Sequence, residues 1–262
     1  MKKVFLNFLR KHGYEIRKIT EDDFYPREAS KADKEIINYV LNIKNKNRNK
    51  LTMISPKCLW AAISSVKYCV ENNLQGDIVE CGVWRGGCSI AMALKLKEYE
   101  SEKKVWMFDT YEGMTEPSKE DIHHSKRVDA KDKYKKNKND SHNDWCYASV
   151  DEVEFNLEKA KVKDFTKIIK GDVNKTLKDN KNLPGSISLL RLDTDWYEST
   201  KIELEVLFPK LSNNGIMLVD DYGHWKGSQK AVDEYFERKK GFKNMMWVTD
   251  YAGRAIIKSS DI

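Results

Sequence analysis

The spacing of hydrophobic positions changes near residue 77 of the chain. Before that point, apolar residues recur at the intervals of amphipathic helices. Three segments show this spacing: one with Val4, Phe5, Phe8 and Leu9, one from Lys34 to Leu41, and one that reads SPKCLWAAISSVKYCVEN. After that point, short β-rich runs alternate with helical stretches. The pattern predicts a helical extension over residues 1–76 and an α/β domain over residues 77–262.

The alternating part predicts a doubly wound, mostly parallel sheet with helices on both faces. Its strands, in chain order, read DIVEC, KVWMFD, FTKIIKGD, SISLLRLD and GIMLVDD. We expect a helix from Gly87 to Lys97 after the first strand and a helix from Ser228 to Lys239 after the fifth. MMWVTD and RAIIK, further along the chain, predict a closing antiparallel hairpin.

A long polar stretch, about residues 115–147, interrupts this pattern between the second and third strands. It is rich in charge and too poor in apolar residues to build a core. Long polar insertions in compact domains are usually lids or disordered loops. We interpret His123 and His124 within it as solvated, and we expect closure of the insertion to exclude water during a reaction.

Composition narrows the class of protein. At 262 residues and 40% hydrophobic content, the chain is long enough to bury one large core. It has no apolar run near the roughly 20 residues that span a bilayer and no signal-peptide pattern at its start, so we expect a cytoplasmic protein. Five cysteines without CxxC or zinc-ligand spacing predict reduced thiols. The net charge of +6 comes without an RNA-binding strand or recognition helix, so we expect no nucleic-acid partner.

A glycine-rich turn follows the first strand in VECGVWRGGCSIAMALKL. Trp84 stands where a dinucleotide-binding turn needs its second glycine, and Cys88 and Ser89 stand where a P-loop needs Lys and Ser or Thr. The remaining pattern, E-x-G-x-x-x-G-G from Glu80 to Gly87, is typical of loops that contact the methionine half of S-adenosylmethionine. The alternative is a tight turn that binds no ligand.

Two further aspartates end strands beside this turn. Asp109 ends the second strand, where a carboxylate can accept the ribose hydroxyls of an adenosine that lies across the sheet edge. Its alternative role is to cap the next segment. Asp172 follows the third strand, within reach of an adenine amino group.

Four more acids follow the fourth and fifth strands. Asp193 and Asp195 end RLDTD, and Asp220 and Asp221 end LVDD. Because parallel strands present their carboxyl ends at one edge, these acids should share one crevice. Their mutual repulsion calls for a cation, and Mg²⁺ suits carboxylates that have no His or Cys partners. The alternative is that the acids cap helices.

These motifs together resemble the macrocin O-methyltransferase family. The resemblance rests on GDIVECGVWRGGCSIAMA, FDTYEGM, GDVNKTL, RLDTDWYEST and LVDDYGHWKGSQKAVDEYF, and it extends from about Thr52 to about Tyr235. It implies a class I methyltransferase sheet and enzymes that use S-adenosylmethionine and Mg²⁺ to methylate sugar hydroxyls.

Carried over residue by residue, the resemblance assigns roles to the acids. It implies metal binding by Asp193, Asp220 and Asp221, with Asp195 as the general base. It also implies a set of residues that line the cofactor: Glu80, Gly82, Ser89, Asp109 and Asp172.

Three residues near these acids in the sequence have less specific predicted roles. His224 could hydrogen-bond the sugar, act as an alternative base, or be a structural turn residue. Arg191 should pair with one of the acids. Trp196 is interpreted as a core residue, with stacking on a sugar face as the alternative.

The acceptor is the least determined part of the prediction. The richness in Lys, Asn and Ile fits an antibiotic producer poorly, so the expected acceptor is a sugar of a surface glycan, in capsule or lipopolysaccharide, or its activated precursor. The alternatives are a macrolide or other natural-product sugar, a small phenol, a nucleic acid, or a role as a non-enzymatic partner in glycan assembly. Family analogy also predicts a homo-oligomer with the N-terminal helices at the interface.

Overall fold

A computed structural model describes residues 2–14, 16, 20, 24–125, 127–238 and 245–259. Its strands are β1 (Asp77–Cys81), β2 (Val105–Asp109), β3 (Thr166–Lys170), β4 (Ile187–Leu192), β5 (Leu211–Val219), β6 (Trp247–Val248) and β7 (Arg254–Ile257). They form one sheet in the order β3-β2-β1-β4-β5-β7-β6. Strands β1 to β5 are parallel, and β7 pairs antiparallel with β5 and β6. The doubly wound sheet and the closing hairpin predicted from the sequence are confirmed.

Helices connect and cover these strands. They are α1 (Lys2–Lys11), α2 (Lys31–Asn42), α3 (Pro56–Glu71), α4 (Gly87–Glu98), α5 (Ala130–Asn137), α6 (Val150–Lys159), α7 (Val173–Thr176), α8 (Tyr197–Val206) and α9 (Lys226–Glu237). The hydrophobic pattern does not predict α5 to α8, and the predicted end of α9 at Lys239 lies outside the described residues. Within the described ranges, every helix is too short or too polar to span a lipid bilayer.

Two hydrophobic clusters enclose the sheet. Helices α2, α3, α4 and α6 build one cluster, and α8 and α9 contribute to the other. Adjacent residues Leu189 and Leu190 of β4 belong to opposite clusters, as alternate side chains of a strand must. Every residue of β4 is buried. A charged side chain in this strand, Arg191, is therefore buried and needs partners.

The helices before β1 share the core of the sheet. Ile37 of α2 and Leu59 of α3 lie in the same cluster as Ile78 of β1. The buried ammonium of Lys95 in α4 lies 2.5 Å from a carboxylate oxygen of Asp33 in α2. The predicted boundary at residue 76 stays a prediction, and so does the homo-oligomer.

The polar insertion folds against the carboxyl edge of the sheet. It contains α5, and its Trp145 packs edge-on against Trp196 with ring centroids 5.5 Å apart. Both rings lie near Trp225, which precedes α9. His123 of the insertion forms a β-bridge with Trp225, and Asp121 accepts a 2.7 Å hydrogen bond from the amide of Tyr197. Residues 115–125 and 127–147 therefore form an ordered cover over this edge.

Candidate active site

Arg191 organises the acids at the carboxyl edge of the sheet. Its Nη1 lies 2.7 Å from Glu80 and 2.7 Å from Asp193, and its Nη2 lies 2.6 Å from Asp220. The sequence predicts one acidic partner for this arginine, and the structure gives it three. The reason is that β1, β4 and β5 are neighbours, so Glu80 within β1 and the residues just after β4 and β5 reach the same guanidinium.

The three predicted metal ligands lie together. One carboxylate oxygen each of Asp193, Asp220 and Asp221 can be chosen so that all three lie within 4.8 Å of one another. Burial, partly opposed by Arg191, raises the pKa of Asp193 well above its usual range. Burial and the charges of neighbouring aspartates do the same to Asp221. The cluster therefore carries more negative charge than Arg191 alone balances.

Asp195 stands beside this cluster in a left-handed backbone conformation, with φ of 67°. Its Oδ1 accepts a 2.6 Å hydrogen bond from Nε1 of Trp225, and its amide donates to Asp221 over 3.2 Å. Burial raises the pKa of Asp195 to about 7, although the bond from Trp225 opposes the rise. Trp225 thus fixes the direction of this carboxylate, and the bond to Asp221 anchors the backbone of Asp195. No role is predicted for Trp225 from the sequence.

The glycine turn between β1 and α4 passes close to the acids. Gly82 has φ of 84°, and a Cβ there would overlap the carbonyl oxygen of Asp193. Gly87 packs against the backbone of Leu51, where a Cβ would lie 2.5 Å from the carbonyl oxygen. Glu80 lies beneath the turn and accepts a hydrogen bond from the buried hydroxyl of Ser89. Glycine is needed at both positions because the backbone approaches too closely for a side chain.

The carboxylate of Asp109 already binds backbone amides. Its Oδ2 accepts from Val83 and Trp84 at 2.7 and 2.9 Å, and its Oδ1 accepts from Tyr111 at 2.7 Å. Asp109 therefore joins the glycine turn to the loop after β2. Asp172 caps α7 by accepting from the amide of Asn174 at 2.9 Å. Asp109 thus binds backbone amides, as its alternative capping role requires. A contact of Asp109 with a ligand stays a prediction.

Two adjoining cavities open at this edge. Gly82, Asp109, Asp172 and Thr194 help to line the first cavity. The second cavity has a volume of about 610 Å³ and is lined by acids, aromatic residues and the segment around Met53. Asp193, Asp195, Gly82 and Cys146 belong to the walls of both cavities.

His224 lies on the wall of the larger cavity, and His123 packs against it. His224 lies within 2.9 Å of the Tyr251 hydroxyl through Nδ1, and its ring meets the ring of His123 edge-on at 4.5 Å. Burial lowers the pKa of His224, which favours a neutral imidazole. The interpretation of His123 as solvated is corrected by its contacts with His224 and Trp225. His124 is exposed, although its amide donates to the carbonyl of His224.

The sequence reasoning misses several residues of the larger cavity. Trp225, Trp145, Lys133 and Tyr251 all line it. Trp196 is buried and donates from Nε1 to the carbonyl of Thr115, in agreement with its core interpretation. Aromatic enrichment around WYEST, DWCY and HWKG is the signal that could have pointed to this wall.

Comparison with known proteins places this geometry in a family. Residues 8–256 match the profile of the Macrocin-O-methyltransferase (TylF) family. The chain is 34% identical over 179 residues to the 8-demethyl-8-(2,3-dimethoxy-alpha-L-rhamnosyl)-tetracenomycin-C 4'-O-methyltransferase of Streptomyces olivaceus. That alignment covers 66% of this chain and 64% of the relative, which is less than two thirds of the relative's length.

Two further proteins support the same relationship. The demethyldecarbamoylnovobiocin O-methyltransferase of Streptomyces niveus is 31% identical over 208 residues, covering 75% of this chain and 73% of that protein. The structure of the O-methyltransferase NovP matches with a TM-score of 0.73 and 26% identity, over 88% of this chain and 100% of that one. The class I methyltransferase fold is confirmed, and the chain belongs to the macrocin O-methyltransferase family.

Proposed function

We propose that the chain is an S-adenosylmethionine-dependent O-methyltransferase that acts on a sugar hydroxyl with the help of a divalent cation. One observation carries the proposal: Asp195 stands in the wall shared by the two cavities. Gly82 of the glycine turn lines both cavities, and Asp220 and Asp221 line the larger one. A base between a methyl donor and an acceptor hydroxyl needs this position.

The smaller cavity suits S-adenosylmethionine, which supplies the methyl group when bound. Gly82 brings backbone rather than a side chain to the cavity wall, as a closely approaching ligand requires. The hydrogen-bonding capacity of Asp109 limits its role. Its Oδ2 already accepts two amides, and its Oδ1 accepts the amide of Tyr111 and the hydroxyl of Thr110, so a ribose hydroxyl would have to compete with the long 3.3 Å bond from Thr110. Asp172 lines the same cavity, which supports its proposed contact with the adenine.

The acids suit a hard divalent cation. Asp193, Asp220 and Asp221 offer carboxylate oxygens without His or Cys donors, which is the set that Mg²⁺ prefers. The repulsion that raises the pKa of Asp221 would be relieved by a positive ion. A cation bound there would act as a Lewis acid that stabilises an alkoxide.

The residues of this chain then divide the remaining work. Asp195 accepts the proton of the acceptor hydroxyl, and Trp225 holds the carboxylate in one direction through its indole N–H. Arg191 holds the carboxylates of Asp193 and Asp220 in fixed positions. The ordered insertion excludes water from the larger cavity through its wall residues Trp145 and Cys146.

The names of the relatives favour a natural-product sugar as the acceptor. The relative from Streptomyces olivaceus is named for a rhamnosyl group of a tetracenomycin, and the relative from Streptomyces niveus for a novobiocin precursor. We therefore place the acceptor among sugars of that kind. The surface glycan expected from composition has no support among these relatives and stays a prediction.

Methyl transfer to a panel of glycosides, followed by mass spectrometry, tests the proposal. We expect S-adenosylmethionine-dependent methylation of at least one sugar, lost on chelation and restored by Mg²⁺. Calorimetry on Asp221→Asn should show lost Mg²⁺ binding with S-adenosylhomocysteine binding retained. The exposed Asp140→Asn serves as the control and should bind both. A protein that binds neither S-adenosylmethionine nor S-adenosylhomocysteine would refute the methyltransferase proposal, and cofactor binding without Mg²⁺ binding would refute the metal site.

A further inference from the structure

The larger cavity contains two basic side chains that the proposed chemistry does not use, Arg85 and Lys133. Its wall is strongly acidic, with Glu80, Asp193, Asp195, Asp220 and Asp221 among its lining residues. Three lining residues carry a fixed positive charge: Arg85, Lys133 and Arg191. The three side chains differ in whether a carboxylate of the protein pairs with them. This difference indicates which positive charge is available to a ligand.

Both arginines are committed to groups of the protein. Arg191 is buried against three carboxylates. Arg85 places its Nε 3.0 Å from Glu152 and stacks its guanidinium over the ring of Trp84 at 4.4 Å. The charge of each arginine is therefore already balanced by a carboxylate, in a buried cluster for Arg191 and in a partly exposed pair for Arg85.

Lys133 has no such partner. It lies on α5 of the insertion, and its side chain meets no carboxylate within 4.0 Å among the residues that the structure describes. Its ammonium lies over the ring of Trp145, 4.0 Å from the centroid. That ring holds the lysine at the cavity rim and leaves its N–H donors free.

The positive charge of Lys133 acts on a residue that lines both cavities, Cys146. Burial raises the pKa of the Cys146 thiol to about 12, and the Lys133 ammonium opposes this rise. Cys146 faces both cavities. Lys133 is also connected to the proposed base through two rings, since Trp145 packs against Trp225 at 6.3 Å and Trp225 binds Asp195.

We infer that Lys133 binds an anionic group of the acceptor sugar, a phosphate or a carboxylate, while the reacting hydroxyl lies at Asp195. This inference rests on the proposed function and specifies its substrate class. Without a cation at the rim, the acidic wall would repel an anionic acceptor. Lys133, exposed at the rim and held over the Trp145 ring, supplies such a cation. The sugar therefore carries its anion at the moment of methylation, either as an activating phosphate or as a uronic acid.

Kinetics on matched acceptors test the inference. Glucose, galactose and mannose are each supplied as the neutral methyl glycoside, the 1-phosphate and the methyl uronide. Wild type should prefer one of the two anionic forms, and the form preferred identifies phosphate or carboxylate. Lys133→Met, which keeps the alkyl stem, should raise KM for that form about tenfold, the size of one charge-assisted hydrogen bond. Neutral glycosides should be unaffected.

The control is Lys135→Met on the same helix. Residues two apart point to different sides of a helix, and Lys135 is exposed and outside the cavity wall. It should behave as wild type. Raising ionic strength should weaken the anionic acceptor in wild type and Lys135→Met, and much less in Lys133→Met.

Several results would overturn the inference. One is equal use of neutral and anionic acceptors by wild type. Another is a higher KM for S-adenosylmethionine in Lys133→Met with unchanged acceptor preference, which would assign the lysine to the carboxylate of the cofactor.

If no panel member is methylated, the acceptor proposal fails for these sugars, and binding decides the inference separately. Saturation-transfer NMR on the protein with S-adenosylhomocysteine should then show glucose 1-phosphate or methyl glucuronide bound to wild type and lost in Lys133→Met. Absence of binding, or binding that does not depend on Lys133, would contradict the inference.

Discussion

The indole Nε1 of Trp225 lies 2.6 Å from Oδ1 of Asp195 and donates a hydrogen bond to it. Asp195 follows β4, and Trp225 precedes α9, so the bond joins segments that follow two neighbouring strands. A donor at this distance favours the ionised carboxylate and fixes its direction. The orientation of the proposed base is therefore set by a residue outside its own loop.

Replacing Trp225 by Phe removes the donor and keeps most of the ring. We expect kcat for methyl transfer to fall about tenfold or more, because a misdirected base loses much of its contribution. Calorimetric affinity for S-adenosylhomocysteine should stay unchanged. Trp106→Phe is the matched control, since it loses a 2.9 Å indole bond to Asp77 away from both cavities. Equal activity in the two variants would remove Trp225 from the mechanism.

Arg191→Met should destabilise the protein strongly. It leaves Glu80, Asp193 and Asp220 without their shared cation, and removal of one partner from a buried ion pair costs about 3–5 kcal/mol. Urea unfolding in the absence of divalent ions measures the loss. Arg85→Met, which breaks a partly exposed pair with Glu152, should cost about 1 kcal/mol or less. A loss at Arg191 no larger than that at Arg85 would contradict this account.

Gly82→Ala should disrupt the turn and the loop that follows β4 together. The residue has φ of 84°, and its Cβ would meet the Asp193 carbonyl. We expect a loss above about 2 kcal/mol in unfolding free energy, from left-handed strain and from the clash. Gly185→Ala is the control, because its Cβ meets nothing within 4 Å and should change stability by less than about 1 kcal/mol. Comparable thermal midpoints for the two variants would show that the turn tolerates a side chain.

Glu203 gives stability a measurable pH dependence. Burial raises its pKa from about 4.5 to about 8 in the fold, with Thr194 as its hydrogen-bond donor. The folded state therefore holds a proton that the unfolded state releases, so this contribution is complete below about pH 4.5 and is lost as pH rises toward 8.

Glu203→Gln should remove that slope. Unfolding free energies from pH 5 to 9 should show the variant gaining on wild type as pH rises, by about 1.4 kcal/mol for each pH unit inside that window. Glu205 is exposed on the same helix, so the unfolding free energy of Glu205→Gln should change with pH as that of wild type does. A constant difference between Glu203→Gln and wild type across the range would mean that Glu203 is ionised in the fold.

The strands and the meeting of the acids could be predicted because both follow from periodicity and from parallel topology. A buried run that ends in Asp193 and another that ends in Asp220 leave few alternatives once the strands are parallel. The threefold pairing of Arg191 could not be predicted, because it depends on the order of β1, β4 and β5 in the sheet. Sequence spacing does not contain that order.

The packing of the insertion could not be predicted, for a different reason. Its few apolar residues do not make a periodic pattern, and its packing comes from Trp196 and Trp225, which lie far along the chain. The bond from Trp225 to Asp195 also requires a left-handed backbone at Asp195, and the sequence RLDTDWY does not predict that conformation.

The bridge between His123 and Trp225 bears on how members of this family can be re-engineered. Grafting an insertion from a relative is the obvious way to change which acceptor is admitted. Here the grafted segment would also bear on the tryptophan that directs the proposed base. If the chain is the proposed methyltransferase, its acceptor range and its turnover cannot be changed separately, and a chimaera that recognises a new sugar should need a compensating change around Trp225 to restore its rate.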